Sequence, residues 1–289
     1  MSLPKHSLLT SLQMHIKSKD QKASRELVTE RIAEKLGHDE QLTSQLTPKW
    51  PLGCRRLTPG NGYLESLRQT NVSTIFKSVA RLTEDGVVDE EGNEQKVDVV
   101  ICATGFDTAF TPHFKVQGRR GAEIHKQFGD FPIGYFGITA ENFPNLFLLP
   151  GPNGPVSHGS VLQVLEWYIR YAFLMIKKVQ TENIKSFEAS KGAIRDHFNY
   201  THELMKRMHW SSSCRSWFKN GKVHGPVTAI YPGSRLHFHE LLRDVRWEDY
   251  DLTYFTDNRF QFLGNGFTEL ETSGEGDAVW YLDDWFVKV

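Results

Sequence analysis

The run VDVVICATGFD, residues 97 to 107, is apolar until it ends in Thr104, Gly105 and Asp107. In an open α/β sheet, ligands lie beyond the carboxyl ends of the strands, and a glycine there lets a ligand approach the backbone closely. A second apolar run, NLFLLPG at 145 to 151, leads into NGP, so Gly151 and Gly154 offer a similar approach. The plainer alternative is that both endings are turns, because glycine punctuates loops generally. Arg55 and Arg56 stand side by side between Pro51 and Pro59. Two planar, permanently charged guanidiniums on a stiff loop suit a phosphate or a developing oxyanion. Their alternative role is a solvated pair in surface salt bridges.

These residues need elements to position them. The stretch 46 to 64 carries three Pro and three Gly and reads as a long loop with fixed corners. Before it, KASRELVTERIAEKLG (22 to 37) predicts an amphipathic helix stopped by Gly37. After it, short β signals around Asp85-Gly86 and an Glu91-Gly92-Asn93 turn predict a small antiparallel excursion feeding the 97 to 107 strand. That run shows no alternation, which predicts a strand covered on both faces, and 145 to 151 is expected to be another. Residues 159 to 180 predict a helix whose buried stripe is Leu162, Leu165, Ile169, Ala172, Ile176 and Val179. A further helix is expected over roughly 189 to 208, and a short one at HFHELLRD.

Composition removes several function classes. Thirty-four Lys and Arg against 35 Asp and Glu leave a net charge of -1, so there is no basic field to collect nucleic acid or an anionic membrane. No apolar window is long enough for a membrane span, since WYIRYAFLMIKKV is broken by Arg170. Cys54, Cys102 and Cys214 are odd in number and far apart, which argues against a disulfide framework and for a reducing, cytoplasmic setting. The histidine pairs 202/209 and 237/239 lack matching carboxylates, so no metal site is expected. No G-x-S-x-G surrounds a serine, and neither G-x-G-x-x-G nor G-x-x-x-x-G-K-[ST] occurs.

Five blocks, GCRRLTPGNGYLESL (53 to 67), VDVVICATGFD, FPNLFLLPGPNGP (143 to 155), CRSWFKNGK (214 to 222) and YPGSRLHF (231 to 238), together resemble the class B flavin monooxygenases, and within them the Baeyer-Villiger monooxygenases of secondary-metabolite pathways. The resemblance implies binding of FAD and NADP in two nested dinucleotide folds and conversion of a ketone to an ester or lactone. It implies that Arg56 is the catalytic arginine beside the flavin and that Arg55 reads the NADP 2'-phosphate. It further implies that Ala103, Thr104, Gly105 and Asp107 belong to an FAD-binding strand. By the same resemblance Pro152, Asn153 and Gly154 lie near the isoalloxazine, and Trp217 near the nicotinamide.

The family's N-terminal FAD fingerprint, its signature between the two folds and its NADP fingerprint do not occur in this sequence, so the likeness is to the C-terminal half. The fold expected is therefore α/β, an incomplete two-dinucleotide-domain flavoprotein. Residues 1 to 95 would be a remnant of the NADP side, and 96 to 289 the C-terminal part of the FAD domain. The function expected is FAD- and NADPH-dependent oxygenation of a bulky organic ketone by a truncated form of such an enzyme. The alternatives are a flavin-free scaffold that binds or isomerises a polycyclic metabolite, and a non-catalytic subunit. Unpaired sheet edges lead us to expect self-association or a complementing chain.

Overall fold

The computed structural model describes residues 19–55, 60–156 and 159–282. The helix expected first is α1 (Lys19–Lys35), followed by Gly37 at φ +61°, a left-handed stop that glycine adopts without a Cβ clash. Helix α2 (Glu40–Leu46) starts at Asp39, whose side chain accepts the Leu42 N–H at 2.8 Å and so satisfies one of the free first-turn donors. The proline-rich loop then leads to one turn of helix, α3 (Tyr63–Ser66).

The antiparallel excursion is present as a meander, β1 (Val79–Leu82), β2 (Gly86–Asp89) and β3 (Glu94–Lys96). Its tight turn at Gly86 leaves no room for a side chain: a Cβ there would lie 2.0 Å from the Gln95 carbonyl oxygen.

The buried strand expected next does not form. Residues 97 to 107 have no strand assignment and are exposed throughout, with Val99 at 75 %, Ile101 at 88 % and Phe106 at 96 %. An apolar run becomes a strand only when neighbours accept and donate its backbone hydrogen bonds and cover its faces, and no strand among the described residues does so. The second expected strand, 145 to 151, is also irregular. It is half-buried and tied by single bonds, Leu148 N–H to the Ile138 carbonyl and Gly151 N–H to the Gly137 carbonyl, both 2.6 Å. In place of one open sheet with buried central strands, the described residues carry two small antiparallel sheets.

The core lies in the C-terminal part. Helix α4 (Ile124–Phe128) packs Ile124 and Phe128 against Ala140 and Phe143. The long helix α5 (Val161–Thr181) is free of glycine and proline, and it ends before Asn183, which takes φ +54°. Strand β4 (Ile184–Ala189) pairs antiparallel with β5 (Tyr250–Tyr254), from Ile184 opposite Tyr254 to Ala189 opposite Tyr250. Between them, α6 (Lys191–Met205) is capped by Ser190, whose hydroxyl accepts the Ala193 N–H at 3.2 Å. Helix α7 (Arg235–Leu241) and the short α8 (Glu269–Ser273) complete the order.

Tyr135, Tyr168, Tyr171, Met175, Phe187, Tyr231 and Phe238 form one cluster, each fully buried side chain of this size contributing about 1.5–3 kcal/mol. The face of α5 that enters it is Val164, Tyr168, Tyr171, Ala172 and Met175, with Val179 packed against it, which corrects the stripe expected from the sequence at every position but Ala172 and Val179. Leu162 and Phe173 are 69 % and 66 % exposed, and Ile169 and Ile176 also face solvent. Tyrosine is the reason: its ring buries like an apolar group once its hydroxyl finds a partner, and Tyr168 donates to the Phe136 carbonyl at 3.0 Å.

Candidate functional site

A cleft among the described residues has a volume of about 1180 Å³ and is walled by three segments remote in sequence. The proline-rich loop supplies Trp50, Gly53 and Arg55, the exposed run supplies residues 104 to 108, and the loop after Cys214 supplies Arg215 to Trp217 with Asn220 and Gly221. The volume exceeds that of a pocket for a drug-sized ligand and suits a larger organic molecule.

The proline-rich loop is held at residues 52 to 54. Gln21 on α1 exchanges two hydrogen bonds with Leu52, donating to its carbonyl at 3.0 Å and accepting its N–H at 3.2 Å. Gly53 has φ +83° and passes so near His209 that a Cβ would lie 2.5 Å from Nε2. One residue on, Cys54 forms a disulfide with Cys214, closing 160 residues of chain with both cysteines buried. The absence of a disulfide argued from cysteine count is thereby corrected: three widely spaced cysteines leave one pair that the fold brings together and one exposed free thiol, Cys102.

The loop 214 to 223 is stiffened from beneath. Lys219 is buried, and its ammonium donates to the Ser212 carbonyl at 2.5 Å and the Val223 carbonyl at 2.7 Å. Burial lowers its pKa, because a charge is poorly solvated away from water. Asn220 closes the turn at φ +52°, Arg215 Nε donates to the Gly221 carbonyl at 2.9 Å, and Thr228 N–H donates to the Phe218 carbonyl at 2.9 Å.

Of the residues singled out from the sequence, Arg55, Thr104, Gly105, Asp107 and Trp217 line this one cleft. Gly105 has φ +93°, so the turn itself calls for glycine, although nothing lies within 4 Å of where a Cβ would be. Ala103 is exposed beside the cleft without lining it. Arg56 lies outside the described residues.

Pro152, Asn153 and Gly154 are elsewhere, buried in a corner. Asn153, at φ +58°, donates through Nδ2 to the Val227 and Ile230 carbonyls at 3.0 and 3.1 Å, and its backbone N–H donates to the Thr228 carbonyl at 2.6 Å. Gly154 passes the Tyr168 hydroxyl so closely that a Cβ would stand 2.7 Å from it. In this structure that loop fastens 151 to 156 onto 227 to 231 and does not face the cleft.

Trp50 and Arg215 line the cleft and were not singled out as site residues. A signal for Arg215 was present, since the dipeptide Cys-Arg occurs at both 54–55 and 214–215. Arg55 and Arg215 against Asp107 give the wall an excess of one positive charge, and the Arg55 guanidinium carbon lies 6.0 Å from the Trp50 ring centroid, a cation–π distance. Two guanidiniums, two indoles and a glycine turn make a surface for an anionic, aromatic ligand. Among the described residues, no three His, Cys, Asp or Glu side chains converge as a metal site requires, and no helix is long and apolar enough to cross a membrane.

The chain is 39 % identical over 281 residues to the FAD-binding monooxygenase tazF of Aspergillus terreus, covering 96 % of this chain and 50 % of that protein. It is 39 % identical to the FAD-binding monooxygenase stcW of Emericella nidulans, over 83 % of this chain and 40 % of the relative. A Baeyer-Villiger monooxygenase of Pseudomonas aeruginosa is 31 % identical, over 74 % of this chain and 41 % of its own length. The chain thus spans about half the length, or less, of the curated relatives it matches.

Among solved structures, cyclohexanone monooxygenase from Rhodococcus sp. Phi1, bound to NADP+, superposes with a TM-score of 0.73 at 23 % identity, covering 84 % of this chain and 46 % of that one. A steroid monooxygenase bound to NADP gives 0.69 at 22 % identity, over 84 % and 47 %. At these identities the likeness shows a shared fold. No family model matches the chain.

Proposed function

We propose that the chain belongs with the FAD-binding monooxygenases, about half the length of which it spans, and that it is the part of a Baeyer-Villiger-type enzyme that receives NADPH and faces the organic substrate. The observation that carries this reading is the single cleft in which Arg55, Gly105, Asp107 and Trp217 meet. A dinucleotide with a phosphate at one end and an aromatic ring at the other matches guanidiniums and indoles on one wall.

The residues present fit NADPH: Arg55 would hold the 2'-phosphate and Trp217 would pack against the nicotinamide. For FAD they fit only in part. The sequence carries no glycine fingerprint to cradle its pyrophosphate, and 97 to 107 stands outside any sheet among the described residues. When bound, flavin and NADPH would supply oxygenation of a ketone to an ester or lactone. This chain's contribution is to orient the nicotinamide and to exclude water with Trp50 and Trp217, and the family resemblance assigns to Arg56 the positive charge that meets developing negative charge.

The exposed apolar run 97 to 106 supports an assembly reading. Paired with strands that bear the missing fingerprints, whether in the same polypeptide or another, it would become the buried strand its sequence describes. The division into an NADP-side segment up to about residue 95 and an FAD-side segment after it belongs to this proposal. The end of the β1–β3 meander at Lys96 supports that division.

The test is to purify the chain alone and co-expressed with a fingerprint-bearing flavoprotein segment, then to assay flavin absorbance, ketone-dependent NADPH oxidation and lactone by mass spectrometry. Lactone formation in the co-expressed sample, abolished by Arg56→Ala, is expected. Colourless, inactive protein in both samples removes the redox reading and leaves a flavin-free scaffold or a non-catalytic subunit.

A further inference from the structure

The two Cys-Arg dipeptides are joined to each other. The disulfide links Cys54 to Cys214 with their Cα atoms 6.4 Å apart, so Arg55 and Arg215 each follow a half of the same bond, and both line the same cleft. Neither guanidinium has a carboxylate partner among the described residues. Asp107, the acidic residue on that wall, already accepts the Ala109 N–H at 3.0 Å through Oδ1. Arg215 spends Nε on the Gly221 carbonyl, which leaves its terminal amino groups for a ligand.

Resting on the cofactor-cleft reading above, we propose that Arg215 joins Arg55 in a two-guanidinium clamp for a phosphate monoester on the dinucleotide, and that the Cys54–Cys214 disulfide is the positioning tie that sets their spacing. A phosphate monoester carries close to two negative charges and three acceptor oxygens, which one guanidinium satisfies only in part. Two forks starting one residue from a common covalent bond are pre-organised, so little ordering cost remains when the anion arrives.

The tie is the component that can be undone. A dithiol reductant breaks the S–S bond by giving two electrons and two protons, leaving thiols at Cys54 and Cys214 and becoming a cyclic disulfide itself. The Arg215 side stays fixed by the two Lys219 bonds, whereas the Arg55 side keeps the Gln21–Leu52 pair, the Cys54 N–H bond to the Pro51 carbonyl and the Ser212 hydroxyl bond to Cys54 Sγ at 3.1 Å. Reduction therefore loosens the clamp from one side.

The experiment is calorimetric titration of the oxidised full chain with adenosine 2',5'-bisphosphate, with 5'-ADP and with inorganic phosphate. The first should bind at least roughly tenfold more tightly than the second, as a pair of charge-assisted hydrogen bonds allows. Arg215→Ala should lose most of that preference and Arg215→Lys only part. Treatment with dithiothreitol, or the double substitution Cys54→Ser and Cys214→Ser, should lower it several-fold with the far-ultraviolet circular dichroism unchanged. An oxidised chain without any 2'-phosphate preference overturns the cofactor reading itself. A preference that survives Arg215→Ala overturns the clamp, and one that survives reduction, with three titratable thiols confirmed, overturns the role of the tie.

Discussion

Two stretches of this chain have similar apolar character and opposite fates. The C-terminal core buries Tyr135, Tyr168, Phe187, Tyr231 and Phe238 among α5, β4, β5 and α7, whereas 97 to 106 holds Val99, Val100, Ile101 and Phe106 in solvent. The difference lies in partners. Every core element finds a complementary face within the described residues, and β4 finds its ladder in β5. The run 97 to 107 has the sequence of a covered strand without a strand beside it. Hydrophobicity supplies the free energy for burial, but backbone pairing decides whether a strand exists to be buried.

That comparison can be tested by perturbing each region. The largest effect is expected at the bond that ties the proline-rich loop, from outside the core, to the 214 to 223 loop. Replacing Cys54 by Ser releases a loop of 160 residues and should lower stability by about 5 kcal/mol on the loop-closure scale, read as a fall in the urea midpoint relative to the oxidised wild type. Within the core, Phe238→Ala removes a fully buried ring and should cost about 3–5 kcal/mol in the same measurement.

A smaller, pH-dependent effect belongs to His197 on α6. Burial pushes its pKa down to about 4 from 6.5, while a hydrogen bond with the Gly134 backbone pulls the other way. The unfolded chain therefore binds a proton between pH 6.5 and 4 that the folded chain refuses. Stability should be flat above about 6.5 and fall as pH drops toward 4, by about 2–3 kcal/mol in all. His197→Gln should flatten that slope in pH-dependent unfolding, and an unchanged slope would assign it to other groups. The smallest effect is expected at Ile101→Ser, within about 0.5 kcal/mol, because no packing is lost at an exposed site. The same substitution should weaken co-purification with a fingerprint-bearing segment if 97 to 107 is the strand that such a segment completes.

What the sequence made legible follows the same divide. The helices at 19 to 35, 161 to 181 and 191 to 205, and the 79 to 96 meander, rest on local periodicity and turn residues, and those signals are short-range. The cleft was legible as separate blocks, since Arg55, Thr104, Gly105, Asp107 and Trp217 were each singled out before being found on one wall. The buried face of α5 was not, because the two tyrosines that define it were not counted as apolar. The disulfide was not either, because 160 residues of separation hide a contact that only the folded chain makes. The strand at 97 to 107 failed for the opposite reason: its signal was strong, but the structure that the signal presupposes includes a neighbour.

The proposed function depends on residues 48–55, 104–108 and 215–221 forming a single surface for NADPH. Amide hydrogen exchange of the full chain with and without NADP+ tests it most directly. Slowed exchange confined to those three segments, with 152 to 154 unchanged, is the predicted result. Protection that falls on 152 to 154 instead, or that appears equally with NAD+, would contradict it.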